Sequence, residues 1–409
     1  MNSLPHTPDI SRLSDRMHHF GNSLTLVAKA IVHQRKAQGL EVYDFGLGET
    51  KGDLLPEIRE AACRAYTEGN TKYGPPAGMC ELREEIIRWL GYEEDFTKDN
   101  VVVTVGAKQA LFNTIATLCS PGDIALLHPT PWVSYIPLIH TVSARPELVI
   151  PKDPDASRWK VSAEDLEHCL SLHPQAKLFL VNSPCNPTGQ FYTEAELLSL
   201  VEVCVSHKVF FVLDRLYWKV LFDGKTFPNL PTSGEAAKWI IHIDGLSKNF
   251  RSTGGLRIGW TVAPEDITEA MIRLQSHTTS GPSMPAQHAA LAALQTPYNN
   301  EMIVELETKR ALLQRETQDI THVHIYPTEA SYYSFWDVRG AFGKTTPQGK
   351  TLENSFDVSQ YLLHEYGVVT VPGEAFEQNG FLRLMFHIDN ETIRVGMNKA
   401  KEAFAALQV

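Results

Sequence analysis

No stretch of the chain is long and apolar enough to span a bilayer. Residues 1–21 carry His, Asp and Pro where a secretory signal would carry its apolar segment, so a cytoplasmic address with no membrane partner is expected. The six cysteines, Cys63, Cys80, Cys119, Cys169, Cys185 and Cys204, form no C-x-x-C pair, which argues against a zinc site or a disulfide framework. Sixteen histidines are equally dispersed, none in a metalloprotease-type pair, and no metal is expected. Basic clustering is missing as well: Asp and Glu outnumber Lys and Arg by 48 to 37, which disfavours a phosphate-backbone binder and hence a nucleic-acid partner. Neither a G-x-G-x-x-G after a strand nor a P-loop occurs, so dinucleotides and nucleoside triphosphates are poor candidates too.

What remains is a chain of ordinary globular composition whose 409 residues suit about two domains. Apolar periodicity over 24–38, stopped by Gly39, predicts an early helix. Short apolar runs follow at 101–105, 125–127, 178–181, 209–213, 240–243 and 258–262, alternating with amphipathic stretches. That pattern predicts a buried, mostly parallel sheet flanked by helices. One of those helices, over 194–207, opens on Thr193 and Glu196 in capping-box spacing. Past residue 297 the pattern changes to a polar helix over about 300–318, a strand-like 332–338, a Gly, Lys and Thr-rich loop and a C-terminal helix from Thr392. The expected division is an N-terminal arm and helix at 1–48, a large domain at 49–298 and a smaller α+β domain at 299–409 that the arm joins.

In open α/β sheets, ligands bind at the carboxyl ends of the strands. Here those ends carry Gly106-Ala107-Lys108, Asn182 to Asn186, Asp214 and Ser247-Lys248. A lysine just past a buried strand is a candidate amine nucleophile toward an aldehyde, although a surface lysine is the plainer alternative. Asp214 closes a very apolar run and needs a cationic or hydrogen-bonding partner. A protonated pyridine nitrogen would serve and would make the ring an electron sink; an N-cap or an ion pair with Arg215 remain open. Gly106-Ala107-Lys108 lies at a strand-to-helix junction that favours a phosphate, with Ser247 and Arg257 able to complete the cradle.

The motifs 71–78 (TKYGPPAG), 106–110 (GAKQA), 182–189 (NSPCNPTG), 247–250 (SKNF), 255–260 (GLRIGW), 371–376 (VPGEAF) and 381–384 (FLRL) resemble those of class I/II aminotransferases of fold-type I, among them the bacterial-type (Ib) aspartate aminotransferases. The likeness runs from about Ser11 to the C-terminus. It implies the α/β fold of a fold-type I pyridoxal-phosphate (PLP) dependent transferase, with a mostly parallel seven-stranded sheet in the large domain plus the smaller α+β domain. It also implies pyridoxal 5′-phosphate as cofactor, amino acid and 2-oxo acid substrates, and a homodimer with shared sites. Lys248 would be the Schiff-base lysine and proton shuttle. Asp214 would hold the pyridinium, Tyr217 and Asn186 the phenolic oxygen, and Trp132 would stack on the ring, unless it is simply core. Ala107, Lys108, Ser247 and Arg257 would grip the phosphate, with Tyr73 reaching in from the neighbouring subunit. Arg383 would fork onto the substrate α-carboxylate, assisted by Gly48 and Asn186. Ser23, Thr25 and Lys108 match the family positions that bind a distal carboxylate, which implies aspartate or glutamate, although Ser23 and Thr25 could equally cap the helix that begins there.

Four departures from the family pattern surround the implied pocket. Arg215 replaces an acid beside the cofactor, Gly245 replaces a Ser or Ala, the 252–255 stretch is one residue longer, and the common Gly-Ala-Phe-Tyr reads Ala330-Ser331-Tyr332-Tyr333. They motivate a rival in which the same fold and cofactor run other chemistry, as in a β-lyase, a cyclase or an amino-acid oxidase.

Overall fold

Runs of Val, Ile, Leu and Phe that are apolar on both faces fit inside a sheet covered on both sides. The computed structural model, which describes residues 12–20, 24–50 and 52–408, puts them there. After β1 (Tyr43–Asp44), the strands β2 (Val101–Val105), β3 (Ile124–Leu127), β4 (Arg145–Leu148), β5 (Ala176–Asn182), β6 (Phe210–Asp214), β7 (Ile240–Gly245) and β8 (Ile258–Val262) build one seven-stranded sheet in the order β2-β8-β7-β6-β5-β3-β4. β8 alone runs opposite to the other six strands. Successive residues point to opposite faces. Val102, Leu180, Val212 and Ile243 join one core, Phe179, Val181, Phe211 and Leu213 a second, and Val101, Val103 and Trp260 a third.

The sequence reading has β2 and β8 at their observed limits and ends β5 and β7 too early. It places the 209–213 run one residue ahead of β6, so Asp214 is the last residue of the strand and not the first beyond it. The seventh strand, β4, is absent from the expected set. Its Arg-Pro-Glu-Leu has no apolar run, because an edge strand is covered less and tolerates Pro. The helix Glu194–His207 has the expected capping box, with Thr193 Oγ1 accepting from the Glu196 amide and the Glu196 carboxylate accepting from that of Thr193.

Further along, β9 (His324–Ile325), β10 (Tyr333–Asp337), β11 (Val368–Val369), β12 (Val371–Pro372) and β13 (Phe381–Met385) follow the helix Glu301–Glu316. Four of them form an antiparallel sheet in the order β12-β13-β10-β9, and the helix Asn390–Ala405 ends the chain. Tyr332, Trp336, Leu382, Leu384, Met397 and Phe404 share a separate core there. The N-terminal portion returns to this part of the molecule. The helix Leu24–Ala37 sets Ile31 and Val32 against Leu363 and Val369, and β1 pairs in parallel with β11. Among the described residues no helix is long and apolar enough to cross a membrane.

Candidate active site

Because β8 runs against its neighbours, its first end lies at the same sheet edge as the carboxyl ends of β2, β5, β6 and β7. That edge opens into a cleft of about 540 Å³ whose lining includes Gly48, Ala107, Lys108, Trp132, Asn186, Asp214, Tyr217, Ser247, Lys248, Arg257 and Arg383. Residues from both sheets therefore meet in one cavity.

Lys248 follows β7 and is half-buried, its Nζ donating to the Gly48 carbonyl across 200 residues of sequence. Asp214, 5 % exposed, accepts from Tyr135 Oη at 2.7 Å and from the Leu216 amide at 3.2 Å. Burial pushes its carboxyl up to about 6, only partly offset by those two hydrogen bonds. Among the described residues it has no cationic partner. Arg215 does not supply one, and the expected placement of that arginine beside the cofactor is corrected here. Its guanidinium turns out of the cleft to lie 4.4 Å from the Trp218 ring centroid and 5.1 Å from that of Phe227, and it donates to Tyr92 Oη at 2.7 Å. The ion pair considered for Asp214 and Arg215 does not form, and the main motive for the rival chemistry goes with it. Gly245 also has a packing reason: a Cβ there would sit 2.9 Å from the Ile258 carbonyl oxygen, so the β7–β8 pair leaves no room for Ser or Ala.

The helix Ala107–Leu118 starts directly after Gly106, whose φ of 75° favours glycine, with its first amides at the cleft. A Cβ at Gly106 would meet Arg257 Nη2 at 2.4 Å, and one at Gly259 would meet the Ala107 nitrogen at 2.3 Å. Backbone, guanidinium and helix start are thus in close contact. Lys108 joins them, its pKa lowered by burial and then by the Arg257 charge. Two cations and a helix N-terminus gathered this way are a cradle for a phosphate, while the Asp214 carboxylate, without a cationic partner, suits a protonated ring nitrogen. These residues fit pyridoxal 5′-phosphate. Trp132 borders the cleft with Lys108 Nζ 5.0 Å from its ring centroid.

On the other sheet Arg383, also 5 % exposed, donates from Nη1 to Asn186 Oδ1 at 3.3 Å and from Nη2 to the Gly46 carbonyl at 2.7 Å, while its Nε is buried without a partner. The Tyr333 ring centroid lies 4.6 Å from its guanidinium. Among the described residues no carboxylate pairs with it, which leaves a costly buried cation in want of an anion. Tyr217 Oη and Tyr333 Oη stand 3.0 Å apart.

Three further expected site residues are not part of this cleft as described, Tyr73 having been expected to serve a neighbouring subunit. Tyr73 is 99 % exposed and outside the cleft. Ser23 lies outside the described residues, as does the side chain of Thr25. Tyr135 was not anticipated, and Tyr333 was expected near the pocket only as part of the altered 330–333 stretch. The one available signal was that a buried tyrosine must find a partner for its hydroxyl, which names no partner.

Residues 41–399 match the family described as Aminotransferase class I and II. A probable aspartate/prephenate aminotransferase of Aquifex aeolicus is 32% identical over 399 residues, covering 96% of this chain and 98% of that protein. The aspartate aminotransferase of Geobacillus stearothermophilus is 32% identical over 394 residues, 95% of this chain and 98% of its own length. Among solved structures, an aspartate aminotransferase from Rhizobium meliloti superimposes with a TM-score of 0.91 at 29% identity, covering 97% of this chain and 99% of that one. One from Thermus thermophilus with maleate reaches 0.85 at 28% identity, covering 96% and 99%.

Proposed function

Since the chain belongs to the class I and II aminotransferases and is a pyridoxal 5′-phosphate-dependent transaminase, we propose that it moves the amino group between a dicarboxylic L-amino acid, aspartate or glutamate, and a 2-oxo acid. The observation that carries this reading is a pair of buried, ionically unpartnered groups, Asp214 from one sheet and Arg383 from the other, lining the cleft that holds Lys248.

When bound, the cofactor supplies an aldehyde that condenses with amines and a ring that withdraws electrons from the substrate Cα. The chain's own groups divide the remaining work. Asp214 keeps the ring nitrogen protonated, Tyr217 and Asn186 donate to the phenolic oxygen, and Trp132 lies against the ring. The first amides of the helix at Ala107, with Lys108, Ser247 and Arg257, hold the phosphate. Lys248 carries a proton between the substrate Cα and the carbon that receives the amino group. Arg383 forks onto the α-carboxylate with Asn186 and Gly48 beside it.

A dicarboxylic substrate is supported by the relatives' names and by Lys108. That residue's backbone amide sits at the helix start while its ammonium extends along Trp132, so one residue can serve the phosphate and a distal carboxylate. Ser23 and Thr25 join it in this reading. Tyr73, fully exposed on its own subunit, completes the site of a partner copy in a homodimer. The division at 1–48, 49–298 and 299–409 is kept as the domain assignment, and a cytoplasmic address fits the six unpaired cysteines.

Half-reaction spectroscopy tests the reading. The reconstituted protein should carry a visible band that aspartate and glutamate bleach, with a borohydride-reducible adduct at Lys248. No band and no adduct would end it, and a band untouched by any amino acid would end transamination. A substrate panel with Lys108→Ser separates that residue's two roles: selective loss of dicarboxylates marks the distal subsite, and equal loss for all substrates marks the phosphate.

A further inference from the structure

Three phenols converge beside the cleft. Tyr217 and Tyr333 border it with their hydroxyls 3.0 Å apart, and Tyr332, which does not line it, is completely buried behind them. The Tyr332 ring packs at 5.4 Å from the Tyr217 ring, 4.9 Å from that of Tyr333 and 5.9 Å from that of His387. Its hydroxyl interacts electrostatically with both neighbouring phenols yet has no hydrogen-bond partner of good geometry. A phenylalanine would make the same ring contacts without a buried, unsatisfied oxygen, so the hydroxyl calls for an explanation beyond packing.

Proton counting supplies one. A phenol has one hydrogen to donate and two lone pairs to accept with. If Tyr217 donates into the cleft, toward the cofactor's phenolic oxygen, it must accept from Tyr333, whose single hydrogen is then used. Acceptor positions are left on both Tyr217 and Tyr333, and the third phenol packs its ring against each of theirs.

We infer that Tyr332 is a positioning residue: its hydroxyl donates to the Tyr217–Tyr333 pair and fixes the direction of the array, so that Tyr217 always turns its hydrogen toward the cofactor. This rests on the proposed placement of Tyr217 at the phenolic oxygen. The groups facing the array are Arg383 from β13, 4.6 Å from the Tyr333 ring centroid, Lys248 and Asp214 across the cleft, and His387 behind Tyr332, itself 3.8 Å from Glu305. Burial holds Tyr217 and Tyr332 in the neutral, donating form.

A hydrogen bond donated to an oxygen favours its anionic form, so weakening it raises the pH at which that oxygen gives up its proton. The readout is therefore the pH midpoint of the holoenzyme's visible absorbance, not turnover. Tyr332→Phe should raise it by ~0.5 unit, Tyr217→Phe should raise it further, and the double variant should match Tyr217→Phe alone. An unmoved midpoint in Tyr332→Phe, or a shift that adds to that of Tyr217→Phe, overturns the inference. Tyr333→Phe gives an independent check, since Tyr332 then becomes the remaining donor. Removing both hydroxyls should shift the midpoint more than Tyr333→Phe does, and an equal shift overturns the inference as well. A parent holoenzyme with no visible band sinks the proposed function itself, a result distinct from a band that these variants leave in place.

Discussion

Asp214 and Arg383 each carry a charge that the rest of the chain leaves unbalanced, and each leads to a measurement. Burial holds the Asp214 carboxyl near 6 against an ordinary 3.8. The folded chain without cofactor therefore binds this proton more tightly than the unfolded chain does. Its contribution is most favourable below about pH 4 and declines as pH rises to about 6, by up to ~3 kcal/mol. The melting temperature of Asp214→Asn apoprotein relative to the parent should climb across that window and then level off; a constant gap from pH 4 to 8 would mean that the carboxyl is not perturbed. A cationic ring nitrogen pulls the same pKa back down, so the parent's cofactor affinity should strengthen between pH 5 and 7. For Arg383→Lys, loss of the planar fork should lower kcat/KM by on the order of 100-fold, about 3 kcal/mol, chiefly through KM. A change of less than threefold would move the α-carboxylate elsewhere.

At the scale of elements, the contact between β8 and the start of the helix Ala107–Leu118 shapes the anion cradle. An added Cβ at Gly259 would lie 2.3 Å from the Ala107 nitrogen, too close for either backbone to accommodate without moving. Gly259→Ala should weaken cofactor binding at least ~10-fold and destabilise the fold by ~1–3 kcal/mol, read by fluorescence titration and thermal melting. Gly255→Ala is the control, since a Cβ there meets nothing within 4 Å. Equal behaviour of the two variants would show that the helix start is not the cradle. Much of this scale was readable in advance. Strands buried on both faces write their burial into composition, as in the β2 sequence Val-Val-Val-Thr-Val, and the capping box of Glu194–His207 needs only two residues three apart. The edge strand β4 was not readable, because little of it is covered.

For the whole molecule, the proposed function has Tyr73, fully exposed and outside its own cleft lining, serve the site of a second copy. The native mass should be roughly twice 45.8 kDa. Mixing Tyr73→Ala with Lys248→Ala subunits under exchange should restore roughly a quarter of parental activity, because half of the dimers are hybrids and each hybrid holds one intact site. No recovery, in a mixture shown to exchange, would place Tyr73 and Lys248 in the same subunit's site, and full activity of Tyr73→Ala alone would remove Tyr73 from it.

The sequence by itself determined the layered α/β architecture, the sheet edge at which polar groups gather, and the residue types available there. Periodicity and burial are local properties of the chain, and the motifs that resemble the aminotransferase family are contiguous. Only the tertiary structure decided which side chain answers which. The bond from Tyr135 to Asp214 spans 79 residues, the Tyr217–Tyr333 contact 116 and the Arg383–Asn186 contact 197. Arg215 immediately follows Asp214, yet it faces an aromatic pocket away from the cleft. Side-chain direction and long-range distance are set by the packing of both sheets together, and no spacing along the chain records them.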